Sequence, residues 1–144
     1  MAFDLPPFLA KTGVKVDQYN KWLYRKAVAH FKRDTKRYGM SMTRSEYRER
    51  IHEAVIKSNG LDYYTGKQLD WRKISKYRND LASKDKIAYL KKFNDLPTVD
   101  HEVIGKKKVE IRICGWLTND CKSRLTHKEL LEFCKSILEN AKTK

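Results

Sequence analysis

The sequence predicts an α+β fold, with N-terminal helices, a short antiparallel β pair and a C-terminal helix, on three observations. Apolar residues recur at helical spacing in two stretches between Tyr19 and Val55, two short β-branched runs flank Gly105 and the lysines after it, and the capping pattern Thr-x-x-Glu occurs at both Thr43 and Thr126. A chain of 144 residues suits one compact domain, read as a helical N-terminal region over 1–60 and a second part over 61–144 that carries the β pair and the last helix.

After an irregular lead containing Pro6 and Pro7, Asp17 is the expected N-cap of a first helix and Gly39 its stop, with Tyr19, Trp22, Leu23, Ala27 and Phe31 on one face. The segment from Thr43 to Asn59-Gly60 forms the second helix, on a stripe of Tyr47, Ile51, Ala54 and Val55. Helical periodicity stops at Leu61, and "LDYYTGKQLDW" predicts a hairpin or tight loop. Ser83 is placed to cap a short helix running to Phe93, which Pro97 ends. "PTVDHEVI" and "KVEIRICGW" then read as antiparallel strands. The last helix opens at Thr126, and Leu130, Leu131, Cys134, Ile137, Leu138 and Ala141 are expected to face the core.

Charge is the strongest bulk signal, with 32 Lys and Arg against 18 Asp and Glu, a formal +14. A polyanion is the natural partner, because each neutralised phosphate releases condensed counterions. DNA is the first expectation, and RNA stays open. On the first helix Arg25, Lys32 and Arg33 are candidate contacts. Cys114, Cys121 and Cys134 form neither a C-x-x-C pair nor a disulfide framework, which points to a reducing cytoplasm and to no structural zinc. No stretch approaches the ~20 apolar residues of a membrane span, and the amino terminus lacks a charged region ahead of an apolar run, so an unexported protein without a membrane partner is expected.

The stretch "LPTVDHE" and the asparagine of "CGWLTNDCKSRLT" carry the chemistry. Phosphodiester hydrolysis needs a cation to neutralise charge, a base for water and fixed geometry. Asp100 is a hard oxygen ligand suited to magnesium or manganese, Asn119 offers a second oxygen, and His101 belongs to the residue type whose ordinary pKa of about 6.5 suits a general base. Successive strand residues point to opposite faces, so a bulge or turn is expected at Asp100-His101 if both serve one site. The plainer alternative is a buried turn in a basic protein. His30 and His52, inside helices, are read as hydrogen-bonded or partly exposed histidines rather than ligands, and Trp71 and Trp116 as core.

"PTVDHEVIG…VEIRICGWLTNDCKSRLT" resembles the HNH, or ββα-metal, nucleases, and with "DYYTGKQLDW" the similarity runs from Asp62 to Thr126. The resemblance implies a ββα-metal core of hairpin and helix, one divalent ion (Mg2+ or Mn2+) held by Asp100 and Asn119, His101 as general base, and Lys122 contacting phosphate. Arg124 and Arg112 would help position the backbone. In the family an asparagine about nine residues before the closing ligand orients the loop carrying the histidine; Glu110 stands there, which leaves that task unassigned. Tyr63, Tyr64 and Thr65 stand where the family often has zinc-binding cysteines, so packing must replace the zinc. A second register would make Asn119 the middle residue and His127 the closing ligand; it is disfavoured, because His127 directly follows the Thr126 cap. The implied activity is metal-dependent DNA endonuclease, with a catalytically silent nucleic-acid-binding module as the alternative. A chain this short suits a phage or mobile-element gene.

Overall fold

Both Thr-x-x-Glu patterns do what their chemistry requires. Thr43 Oγ1 accepts from the Glu46 amide at 3.1 Å while the Glu46 carboxylate accepts from the Thr43 amide at 2.6 Å, and Thr126 with Glu129 repeats the exchange. In the computed structural model, which describes residues 2–77, 80–81 and 85–144, the order is α1 (Val16–Tyr38), α2 (Arg44–Ser58), α3 (Lys86–Lys91), β1 (Pro97–Gly105), β2 (Lys108–Gly115), α4 (Trp116–Lys122) and α5 (His127–Ala141). The α+β class therefore holds.

Helix α1 ends at Gly39 in the left-handed region, at φ 60°, as expected. Its start differs. Lys15 is the N-cap and gives no side-chain bond, and Asp17, one turn-position inside the helix, pairs with Lys21 instead. Negative charge in a first turn favours the helix dipole without any capping geometry, so Asp17 still acts near its expected place. The expected cap Ser83 lies outside the described residues; Asp85 caps α3 by accepting from the Ala88 amide at 3.1 Å, and the helix stops at Lys91 rather than Phe93.

Both stripes on α1 and α2 face the core, with Phe31 and Ala54 only partly buried. Tyr19, Leu23, Tyr47, Ile51 and Val55 are fully enclosed, together with Trp71, Ile74 and Ile113, and Val99 is buried beside them. Helix α2 packs on α1 and on β2, so one core joins residues 1–60 to the hairpin. Trp71 is buried in that core, where its indole donates to the Gly60 carbonyl at 3.2 Å.

The hairpin is antiparallel, with Pro97 opposite Gly115, Asp100 opposite Arg112 and His101 opposite Ile111. Where β2 turns into α4, Gly115 allows a close approach: a Cβ there would lie 2.8 Å from the Asn94 carbonyl oxygen.

Two expectations fail here. Register runs unbroken from Pro97 to Val103, and the irregularity falls between Val103 and Gly105, so no bulge re-aims Asp100 or His101. The expected core face of α5 is not buried: Leu131 is 58% exposed, Ile137 52% and Leu138 61%, Cys134 is also exposed, and no residue of the helix is buried. Amphipathic periodicity specifies an apolar face but not what will cover it.

Candidate functional site

Among the described residues the hairpin has two strands, which leaves the outer edge of β1 unpaired. With α1 on one side and α4 with its following turn on the other, that edge opens into a cleft of about 590 Å³. Arg33, Asp34 and Arg37 come from α1, residues 99–103 from β1, and Asn119, Asp120, Lys122 and Arg124 from α4 and the turn beyond it. Strand alternation sends Asp100 and His101 to opposite faces. Both still line the cleft, because both faces meet at a free strand edge.

Asp100 faces α4 and is 7% exposed. Its Oδ2 accepts the Tyr64 hydroxyl, and its Oδ1 lies 3.4 Å from the Lys122 ammonium. Glu102, two residues on and on the same face, is 3.9 Å from Lys122 and 3.3 Å from Arg112. Burial, then the bond to Asp100, pushes the Tyr64 phenol above its ordinary range, which keeps it a hydrogen-bond donor.

His101 faces α1. Its Nε2 is 2.8 Å from Asp34 Oδ1, and Tyr47 donates to Asp34 Oδ2 at 2.6 Å. The imidazole also packs edge-on against His30, with centroids 4.2 Å apart. The other ring nitrogen, Nδ1, has no partner among the described residues, and the side chain is 12% exposed in the cleft lining. His30 is buried, and burial first, then the neighbouring His101 and Arg33, pushes its pKa down to about 2, so it stays neutral.

Asn119 lines the same cleft, and its carboxamide makes no hydrogen bond with a described residue. Asp100, His101 and Asn119 thus share one cavity. The six basic candidates divide. Arg33 and Arg124 are exposed on the cleft rim. Lys122 is turned inward with its side chain 3% exposed, and Arg112, 12% exposed, is held by Glu102, Glu110 and Tyr64 and lies over the Tyr63 ring. Neither presents a free cation to phosphate in this arrangement; each neutralises carboxylates. Arg25 bonds Ser75 Oγ away from the cleft, and Lys32 is exposed on α1 outside the cleft lining.

Arg37, one of the basic positions read on the first helix, completes the basic rim. The roles of three other residues escaped the sequence reading. Tyr64 anchors Asp100. Asp34 carries a recognisable signal, since it continues the buried stripe Leu23, Ala27, His30 on α1; a carboxylate on an apolar stripe needs a polar partner. Asp62, 3% exposed, ties three segments together. Its Oδ1 accepts from the Tyr64 and Thr65 amides, and its Oδ2 from the Gly115 amide at 2.8 Å and the Thr118 hydroxyl at 2.7 Å. In the turn that follows α2 a carboxylate makes the cross-link.

His127 lies outside the lining of the cleft. It is the first residue of α5, where its amide donates to Glu102 Oε1 at 3.2 Å and its ring packs against Tyr63 and Tyr64. Cys114 is buried, which raises its thiol pKa, and Cys121 and Cys134 are exposed; all three are free thiols.

Asp100 and Asn119, both in the lining of this polar cleft, carry oxygen donors of the hard type that magnesium and manganese take. The donor types suit such an ion, while the Tyr64 hydroxyl and the Lys122 ammonium already engage the two Asp100 oxygens. Compared with family models, with curated proteins and with solved structures, the chain matches none.

Proposed function

We propose that this protein is a metal-dependent endonuclease of the HNH type that hydrolyses DNA phosphodiester bonds. The observation that supports it is the convergence of Asp100, His101 and Asn119, from a hairpin and the helix after it, on one cleft rimmed by Arg33, Arg37 and Arg124. A divalent ion bound by Asp100 and Asn119 would neutralise charge on the scissile phosphate and the leaving oxygen. His101 takes the proton of the attacking water. The rim arginines position the backbone, contacts that carry no sequence information. Tyr64 and Lys122 hold the Asp100 carboxylate in place from either side.

One observation favours a second reading, a nucleic-acid-binding module without catalysis: the buried Lys122 ammonium already balances Asp100. Cleavage separates the two. Replacing His101 with Ala should reduce nicking of supercoiled plasmid by roughly 10²–10⁴-fold and leave manganese binding intact, whereas Asp100→Ala should abolish both. DNA affinity without metal should survive in both variants and fall linearly in log-log form with salt. Substituting Arg33 or Arg37 should lower that slope by about one each. Wild-type protein that binds DNA yet cuts no duplex, branched or single-stranded substrate with magnesium, manganese, cobalt or nickel would favour the silent module.

A further inference from the structure

We propose that Asp34, held by Tyr47, sets the tautomer of His101 and so decides which imidazole nitrogen can take a proton in the cleft. Neither residue belongs to the hairpin or to α4. Asp34 sits on α1, 67 residues before His101, and Tyr47 on α2. The proposal rests on the nuclease reading for its effect on rate, but the tautomer can be observed without any cleavage.

Hydrogen-bond direction carries the argument. A carboxylate only accepts, and a neutral imidazole has one donor and one acceptor nitrogen. Asp34 Oδ1 lies 2.8 Å from Nε2, so the proton of the neutral ring stays on Nε2. Nδ1 then keeps its lone pair, and that atom has no partner among the described residues. Asp34 cannot turn away, because its side chain is 1% exposed and Oδ2 accepts the buried Tyr47 hydroxyl at 2.6 Å. The task that Glu110 leaves unfilled at the position of the family's middle asparagine is taken by a carboxylate from the N-terminal helix. Glu110 itself pairs with Arg112 at 3.0 Å on the other strand. The helical region is thus a working part of the site as well as its support.

An amide at position 34 tests this sharply. In Asp34→Asn the new oxygen can accept the Tyr47 hydroxyl, which places the NH2 toward His101; Nε2 must then accept, and the proton moves to Nδ1, where water in the cleft can take its hydrogen bond. The opposite amide orientation preserves the original tautomer but leaves the Tyr47 hydroxyl proton buried without an acceptor, which disfavours it by at least about fivefold. Asp34 is a positioning residue, and the same size and shape with the wrong hydrogen-bond pattern should disable the ring.

The experiment is nitrogen-15 NMR of the histidine rings in the full chain at about pH 9, well above the ordinary imidazole pKa of about 6.5. The His101 signals are identified by their loss in His101→Ala. Wild type should show the Nε2–H form, Tyr47→Phe should keep it because Asp34 still accepts, and Asp34→Asn should shift the population to Nδ1–H. A wild-type ring in the Nδ1–H form or still doubly protonated, or an Asp34→Asn protein with the wild-type pattern, would overturn the proposal. If wild type cleaves DNA, Asp34→Asn should lower kcat by roughly 10²–10⁴-fold with little change in KM; equal kcat in the two would also overturn it. The expected tautomers in a wild-type protein that cuts nothing would support the positioning role and reject the nuclease reading, so the two fail separately.

Discussion

Asp62 Oδ2 accepts the Gly115 amide at 2.8 Å, joining two points 53 residues apart where β2 becomes α4. The same carboxylate receives Thr118 Oγ1 and the Tyr64 and Thr65 amides. One buried acceptor thus fixes the first turn of the helix that carries Asn119 and Lys122, and the turn that carries Tyr64. Removing it strands several donors at once. Asp62→Ala should lower the unfolding free energy by roughly 3–4 kcal/mol, and Asp62→Asn by less, since one oxygen can still accept. Urea denaturation measures both. A loss below about 1 kcal/mol for the alanine variant would mean that the turn stands without its cross-link.

The Lys122–Asp100 pair makes a different kind of prediction. Breaking a buried ion pair is costly mainly because one charge is left without its partner. Lys122→Met should therefore cost about 3 kcal/mol, and adding Asp100→Asn should recover most of it. If Asp100 holds a divalent ion, manganese should also stabilise Lys122→Met more than wild type, because binding to the folded state alone adds to stability. Equal melting temperatures for Lys122→Met and wild type would show that the pair is solvated in practice.

Acid stability should report His30. Its folded pKa is pushed to about 2 by burial, against about 6.5 in an unfolded chain. Between those values the unfolded state binds more protons than the folded state, so stability is present above about pH 6.5 and is lost as pH falls toward 2. The slope from this one residue approaches about 1.4 kcal/mol per pH unit. His30→Leu should flatten the stability–pH curve between about pH 6 and pH 4 by about one proton. Parallel curves for the two proteins would remove His30 from the account.

Helix α5 should contribute little to the stability of the domain. Ile137→Ala and Leu138→Ala act on side chains 52% and 61% exposed and should each change stability by less than about 0.5 kcal/mol. Ile51→Ala, at a fully buried position, should cost about 2–5 kcal/mol. Comparable losses at all three positions, measured by the same denaturation, would show that α5 packs on the domain in solution.

What the sequence determined by itself is the local order of the chain. Capping boxes at Thr43 and Thr126, the stop at Gly39, the buried stripes of α1 and α2 and the β-branched strands all depend on neighbours within a few residues, where rules of spacing and hydrogen-bond geometry apply directly. Asp100, His101 and Asn119 were grouped through a family resemblance carried by one hairpin-and-helix segment, and all three line one cleft. Only the tertiary structure decided what each of them meets. Asp34 reaches His101 across 67 residues and Asp62 reaches Gly115 across 53, partnerships that depend on how α1, the turn after α2 and the hairpin pack together. Lys122 and Arg112 read as cations for phosphate until their carboxylate partners come into view, because a charge in a sequence does not say which way its side chain will turn. The apolar face of α5 was written in its periodicity, but burial needs a second surface, and periodicity within one helix cannot supply it.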